Sequence, residues 1–297
     1  MFYIGIVLYT LLHEFAPSYW VQNGINYWAP NGIKWWFILL TALFIHGFHP
    51  ETIDSVVPGG WSIAVEMTFY LVFPLLMKYI RSIPSSFAFL ALSLLLWKLS
   101  SLIYSHIFTG LYPADQQYLV SSFLFQNFFG QLPVFAIGIL TCFVFENKKE
   151  LKRRVVIFDC IFGMIVLLQL AILLRFQVNF LSNHFVFSGI FALCALNLAV
   201  FPVGLFVNRF IALVGEISFS MYIIHIAVIY FLTKIGFTLL FEPGDLSSIL
   251  YYLCVVAVSV LISRFLYATV ETRGISFGKN IIKRLEAPAG AEPATSA

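Results

Sequence analysis

The sequence predicts an all-α protein, a polytopic bundle of membrane helices. Of its 297 residues, 61% are hydrophobic and only 10% are charged, and the mean hydropathy is +0.93. A soluble domain does not need so much apolar surface. The apolar residues also fall in runs, several of them about 20 residues long, the length that crosses a bilayer as a helix. Basic residues cluster on every second loop between these runs, as alternating spans require.

We predict about eight membrane-spanning helices and one re-entrant or half-spanning segment. The first apolar segment, residues 1–13, is short for a span, and the half-spanning segment covers residues 34–48. The helix after Pro58-Gly59-Gly60 reaches Ile80. The remaining predicted spans cover residues 86–104, 126–145, 155–174, 184–201, 209–232 and 249–268. A membrane domain then occupies residues 1–285, and residues 286–297, rich in Ala, Pro and Glu, form a disordered cytoplasmic tail.

The charges and cysteines narrow the possible partners. The strongest basic cluster lies at residues 148–154, and the positive-inside rule places it and the C-terminus in the cytoplasm. The loop at Pro58-Gly59-Gly60 is then on the far side of the bilayer.

A net charge of +3, without a basic patch, is too small to suggest a nucleic-acid partner, and we predict none. The four cysteines lie within apolar runs and form no CxxC, so we predict no metal site and no disulfide framework.

One carboxylate, Glu66, interrupts an apolar helix and is the first candidate functional residue. It lies about 7 Å inside the helix that begins near Trp61. Placing a carboxylate in lipid costs about 2.5–3.5 kcal/mol of free energy, so a carboxylate inside a span indicates a functional or structural role. Ser62, Glu66 and Tyr70 are four residues apart and share one face, which must look into a cavity or at another helix. We predict a buried acid–base or substrate-orienting Glu66; the alternative is a carboxylate that ties two helices together.

A second polar face lies near the end of the chain. Ser218, Tyr222 and His225 follow each other at spacings of four and three within the predicted span 209–232. A histidine deep in a span can move a proton, orient a partner or line a substrate path. The alternative is a histidine that only hydrogen-bonds to the next helix. His46 and His49 lack a third ligand, which favours interfacial loop histidines over a metal site.

Three segments resemble one known family. Residues 61–66, Trp-Ser-Ile-Ala-Val-Glu, with Phe-Tyr-Leu-Val-Phe-Pro at residues 69–74, resemble the W-S-L-x-x-E-x-x-F-Y-L-x-F-P pattern of the acyltransferase-3 integral membrane acyltransferases. Residues 217–225 are similar to the I-S-Y-S-x-Y-L-x-H segment of that family. Residues 271–275 are similar to its E-x-P-x-I ending, with Arg273 where proline is usual. The matching segments lie between about residues 57 and 285.

The resemblance implies a bacterial inner-membrane enzyme that moves an acyl group, usually acetyl from acetyl-CoA, onto a hydroxyl group. Such enzymes O-acetylate cell-surface or secreted glycans, including the O-antigen of lipopolysaccharide and other polysaccharides. Acyl-CoA is a substrate in this scheme, and no bound cofactor is expected. By the resemblance, Glu66 is the catalytic residue. The residues expected to bind substrate are Trp61, Ser62, Tyr70, Ser218, Tyr222 and His225.

One feature of the family does not occur in this sequence. The opening helices of the family carry an arginine and a histidine about ten residues apart, and the first basic residue here is Lys34. We therefore expect the first two family helices to be missing from this chain. One alternative is a truncated, catalytically inactive membrane protein or a scaffold of a glycan assembly system. A transporter is a further alternative, but it predicts a second broken helix, and the sequence shows one break, at Pro58-Gly59-Gly60.

Overall fold

The computed structural model describes residues 1–16, 18, 21–22, 25–146, 182–200, 202–237 and 244–286. These residues are helical apart from loops and a small antiparallel hairpin, in which Val21–Gln22 (β1) pairs with Ile25–Asn26 (β2). The chain divides into two compact units. The central unit comprises residues 20–211, and the terminal unit comprises residues 1–19 together with 212–297.

The helices follow the apolar runs of the sequence. Those of the central unit are α2 (Trp35–Ala42), α3 (Trp61–Tyr79), α4 (Ile83–Phe108), α5 (Gln117–Gln126), α6 (Phe128–Glu146) and α7 (Asn183–Val200). At the boundary of the units lies α8 (Arg209–Glu216). Those of the terminal unit are α1 (Phe2–Phe15), α9 (Ser218–Lys234), α10 (Asp245–Leu266) and α11 (Thr272–Glu286).

The predicted membrane architecture is confirmed in the part of the chain that the structure describes. Five helices are long and apolar enough to cross a membrane, or six if a bent pair counts as one span. They cover Trp61–Tyr79, Ile83–Leu111, Ala114–Glu146, Asn183–Val200 and Asp245–Glu286, with Arg209–Glu216 and Ser218–Lys234 as the bent pair. The predicted span at residues 155–174 lies outside the described residues, and α1 has 14 residues, so the total of eight stays a prediction.

The central unit is built around α3, α4 and α6. Phe69 of α3 stacks on Phe135 of α6, with 4.0 Å between the ring centroids, and Ala136 beside it is fully buried. The turn before α4 is set by Ser82, whose side chain accepts a hydrogen bond from the backbone N–H of Ser85 in a capping box. This cap ends the connection from α3 within three residues, and α4 then packs along α6.

The segment predicted to enter the membrane part-way consists of two short pieces. The helix α2 has 8 residues, about 12 Å of length, and a 3₁₀ turn follows at His46–Phe48. Between them Phe44 adopts φ 61°, the left-handed conformation that reverses the chain. Gly47 then approaches α3 so closely that a Cβ on it would lie 2.8 Å from the Cβ of Ala64. A side chain here would force the segment away from α3.

In the terminal unit, α1, α9 and α10 surround a small apolar core. The hydroxyl of Tyr9, which is fully buried, donates a hydrogen bond to the carbonyl of Ile223 at 2.7 Å. Ile224, Val228 and Val255 pack together beside it. The last predicted span ends at residue 268, but the helix continues through a π-helical turn, Tyr267–Glu271, into α11. No residue of α11 is buried, and its apolar and basic residues lie on different faces, which is typical of a helix along a membrane surface.

The predicted span over residues 209–232 is broken in the structure. The structure has two helices, α8 and α9, bent by 70° relative to each other. The break falls at Ile217, whose backbone (φ −93°, ψ 2°) leaves the helical region and whose side chain is fully buried. Ser218 therefore begins α9, directly after the break. The break at Pro58-Gly59-Gly60 is a loop rather than a helix pair, so the two breaks are not copies of one motif.

Candidate active site

The start of α3 is held by a carboxylate that sequence reasoning missed. Asp54 Oδ1 accepts a hydrogen bond from the Gly59 N–H at 3.0 Å, and the carboxylate also accepts one from the Trp61 N–H. Its Oδ2 accepts a 2.6 Å hydrogen bond from Gln126 Nε2. A carboxylate at a helix N-terminus satisfies free N–H groups and meets the positive end of the helix dipole. Asp54 thereby fixes the direction in which α3 leaves the loop.

Asp54 titrates in an unusual range. Burial raises the pKa of its carboxyl group to about 6, although the hydrogen bonds from Gln126, Trp61 and Gly59 oppose this rise. The group therefore exchanges its proton close to neutral pH. The only sequence signal for this residue is an acid a few residues before a helix start, and the Pro-Gly-Gly break between them obscures it.

His46 joins the half-spanning segment to the same loop. Its side chain is 1% exposed, and Nε2 lies 3.1 Å from the Gly60 carbonyl oxygen, to which it donates. His46, predicted as an interfacial loop histidine, is thus buried against the Gly59-Gly60 turn, and its position at the membrane interface stays a prediction. The sequence contains no signal for this burial, because His46 follows an apolar run and precedes a polar loop. His46 and Asp54 together hold both sides of the Gly59-Gly60 turn.

Glu66 lies on α3 but is not buried, which corrects the sequence prediction. Ile63, Ala64 and Val65 are buried within the central unit, and Glu66 projects from the face that these residues leave open. Tyr70, one turn later, is 59% exposed. Periodicity predicts which residues share a face, but it does not tell which face other helices cover. Within a span, a carboxylate on an open face must meet water, a polar substrate or another polypeptide, because lipid penalises it.

Trp61 and Ser62 lie at the N-terminal end of α3, before this face. Both are half-buried, and the Ser62 hydroxyl donates a hydrogen bond to the Gly59 carbonyl at 3.3 Å. The Trp61 ring meets Phe125 edge to face, with 5.9 Å between the centroids. Their positions are thus set by the turn and by α5, one to two helical turns from Glu66.

His225 in the terminal unit has a defined tautomer. Its Nδ1 lies 2.8 Å from the Tyr222 carbonyl oxygen and 3.2 Å from that of Met221. Carbonyl oxygens only accept, so Nδ1 carries the proton in these contacts, and whenever the ring is neutral Nε2 holds the lone pair. The Tyr222 ring lies 5.9 Å from the imidazole, centroid to centroid. Both side chains are half-buried, and Ser218 is exposed at the first turn of α9.

A contact between two of the sequence segments quoted above was also missed. Ser220, which is fully buried, donates a 2.6 Å hydrogen bond to Glu271 Oε1. The π-helical turn at Tyr267–Glu271 adds a residue to the helix and so determines where the Glu271 carboxyl group points. No periodicity links residues 51 positions apart, so the sequence offers no signal for this pair.

The predicted site residues therefore fall into two groups. Trp61, Ser62, Glu66 and Tyr70 lie in the central unit, and Ser218, Tyr222 and His225 lie in the terminal unit. The expectation that His225 and Tyr222 line one cavity with Glu66 stays a prediction.

Comparison with known proteins identifies the family. A family model described as an acyltransferase domain, Acyl_transf_3, matches residues 1–268. The chain belongs to the acyltransferase-3 family. The match includes α1, the Glu66 helix and the segment that carries His225, and it supports a membrane acyltransferase activity. No curated protein and no solved structure matches the chain.

Removing the Glu271 carboxyl group is expected to destabilise the terminal unit of this acyltransferase-3 protein. Glu271→Ala leaves the buried Ser220 hydroxyl without its acceptor, and hydrogen bonds to charged groups contribute about 1.5–3 kcal/mol. Thermal unfolding of the detergent-solubilised protein measures the loss, with Glu286→Ala, at the exposed end of α11, as the control. In a double-mutant cycle with Ser220→Ala, simple additivity of the two losses would contradict the contact.

Proposed function

We propose that the protein is a membrane O-acyltransferase that moves an acyl group, acetyl in the first instance, from acyl-CoA to a hydroxyl group of a cell-surface or secreted glycan. Family membership over residues 1–268 carries the proposal. The open carboxylate of Glu66, inside a helix that is otherwise apolar, supports it as a residue free to meet a polar substrate. We place the protein in a bacterial inner membrane because the family resemblance implies it, and we place its C-terminus in the cytoplasm on the pattern of basic residues.

The proposed reaction is a single acyl transfer. The glycan hydroxyl oxygen attacks the thioester carbonyl carbon, a C–O bond forms, and the C–S bond of acyl-CoA breaks. The hydroxyl proton passes to the carboxylate of Glu66 and then to the departing CoA sulfur, so charge and protons balance. A positioned base of this kind typically contributes about 10²–10⁴-fold to the rate.

Trp61, Ser62 and Tyr70 flank the carboxylate along α3 and are proposed to contact the substrates beside it. The proposed substrate contacts of Ser218, Tyr222 and His225 come from the terminal unit. His225 has the chemistry for the role, because its Nε2 lone pair can accept a proton or a hydroxyl hydrogen bond.

The test is a transfer assay in native-like membranes. The chain is expressed in a bacterial host whose surface polysaccharide carries no O-acetyl groups, and its membranes receive acetyl-CoA labelled in the acetyl group. We expect labelled acetyl groups on the polysaccharide. Mild alkali should release them, because it cleaves oxygen esters. Membranes without the protein set the background, and label at background level would contradict the proposed function.

A further inference from the structure

The central unit contains a cavity that the proposed reaction has not used. Its volume is about 200 Å³, room for roughly six water molecules and less than a drug-sized ligand needs. It lies where α3 begins, beside the Asp54 carboxylate and the start of α5. Its wall includes three aromatic and three polar side chains: Tyr27, Trp28, Tyr118, Asp54, Ser122 and Gln126.

The aromatic part of the wall is preorganised. Tyr27 and Tyr118 stack with 4.8 Å between ring centroids and 14° between ring planes. Trp28 meets Tyr27 edge to face at 5.5 Å. The Tyr118 hydroxyl donates to the Tyr27 carbonyl at 3.0 Å, which holds the strand-like loop against α5. Rigid aromatic faces suit a ligand that presents C–H groups, such as one face of a pyranose ring.

The polar part of the wall lacks one hydrogen-bond donor. Gln126 donates through Nε2 to Asp54, and this orients the amide. Its Oε1 is buried and has no partner among the residues that the structure describes. A buried acceptor without a partner is unfavourable, and a hydroxyl group is a donor of the kind it lacks. The Asp54 carboxylate and the Ser122 hydroxyl add further hydrogen-bonding groups around the same space.

Charge and position indicate that the cavity binds the glycan, which accepts the acyl group, rather than acyl-CoA, which donates it. None of the described residues that line the cavity is basic, and one is acidic, so the phosphates of acyl-CoA have no cation to bind. The cavity lies at the start of α3, about 28 Å from the end of that helix near Lys78 and Arg81. The positive-inside rule places the basic end in the cytoplasm, and hence the cavity on the far side, where surface glycans are assembled.

We propose that this cavity binds one uncharged pyranose ring of the acceptor glycan, stacked on the tyrosine and tryptophan side chains and hydrogen-bonded to Gln126. The inference rests on the proposed function, because it names the site that holds the acceptor for acyl transfer. Glu66 lies about 7 Å along α3 from Trp61, where the helix begins, a distance that one further sugar of the same glycan can span.

The experiment compares cavity variants in the transfer assay. Tyr118→Leu removes an aromatic face and keeps most of the volume, and Gln126→Leu removes the amide. Tyr112→Leu, a tyrosine from the same end of the unit that does not line the cavity, is the matched control. We expect both cavity variants to raise the KM for the polysaccharide about tenfold, with the KM for acetyl-CoA unchanged. An unchanged polysaccharide KM, or an equal rise for both substrates, would overturn the proposal.

A direct binding measurement separates this proposal from the proposed function. Adding the de-O-acetylated polysaccharide to the purified protein should change the tryptophan fluorescence saturably, and Trp28→Phe should remove that signal. If the wild-type protein transfers no acyl group but shows this signal, the proposed function fails and the cavity proposal stands. If it transfers acyl groups and shows no signal from Trp28, the cavity proposal fails alone. Absence of both results rejects both.

Discussion

Replacing Glu66 by glutamine is expected to lower acyl transfer by about 10²–10⁴-fold while the protein stays folded in the membrane. Glutamine keeps the shape of the side chain and one acceptor oxygen but takes up no proton. Glu66 projects from the open face of α3, and no described residue hydrogen-bonds to it, so folding does not depend on its charge. The measurement is kcat in the labelled acetyl-CoA assay, combined with the midpoint of thermal unfolding in detergent.

The matched control is Glu146→Gln, an exposed carboxylate at the end of α6 in the same unit. Transfer by this variant should equal that of the wild type. Wild-type transfer by the Glu66→Gln protein would rule out a proton-accepting role. A fall in unfolding midpoint that accompanies the loss of activity would favour the alternative, a carboxylate that ties helices together. The two measurements thus separate the hypotheses that the sequence left open.

Much of the fold could be predicted because lipid imposes a simple rule on composition. A span must be apolar over about 20 residues, so hydropathy alone found α3, α4 and α7 to within a few residues. The same rule gives no information about the break at Ile217, since Ile217 is apolar and hydropathy does not report the direction of the backbone. It also cannot detect the π-helical turn at Tyr267–Glu271, where an apolar span continues into an amphipathic helix.

The candidate site could be predicted only where the polarity of one residue differs from that of its neighbours in the sequence. Glu66 stands out because a single charge lies in an apolar run. Asp54 lies in a loop and His46 in a short 3₁₀ turn, and their importance comes from contacts with Gly59, Gly60 and Gln126. Such contacts join residues that no periodicity relates. The exposure of Glu66 likewise depends on which helices cover α3, and this is a property of the packing.

Changing His225 is expected to have the second largest effect, a fall of about 10²-fold or more in acyl transfer. The protonated Nδ1 is occupied by the carbonyl oxygens of Met221 and Tyr222, which leaves the Nε2 lone pair for a substrate hydroxyl or a proton. His225→Ala removes both nitrogens. The measurement is again kcat with labelled acetyl-CoA, now followed over a range of pH.

His225→Asn decides between chemistry and structure. The asparagine amide can donate to the same backbone carbonyls as Nδ1 does, but it offers no basic nitrogen. If His225 serves only to hold α9 in place, the Asn variant should recover both the unfolding midpoint and the activity that the Ala variant loses. If Nε2 takes part in the reaction, the Asn variant should unfold like the wild type and remain as inactive as the Ala variant. Full activity in His225→Asn would therefore remove His225 from the proposed chemistry, and Glu66 would then be the remaining proton acceptor of the proposed reaction.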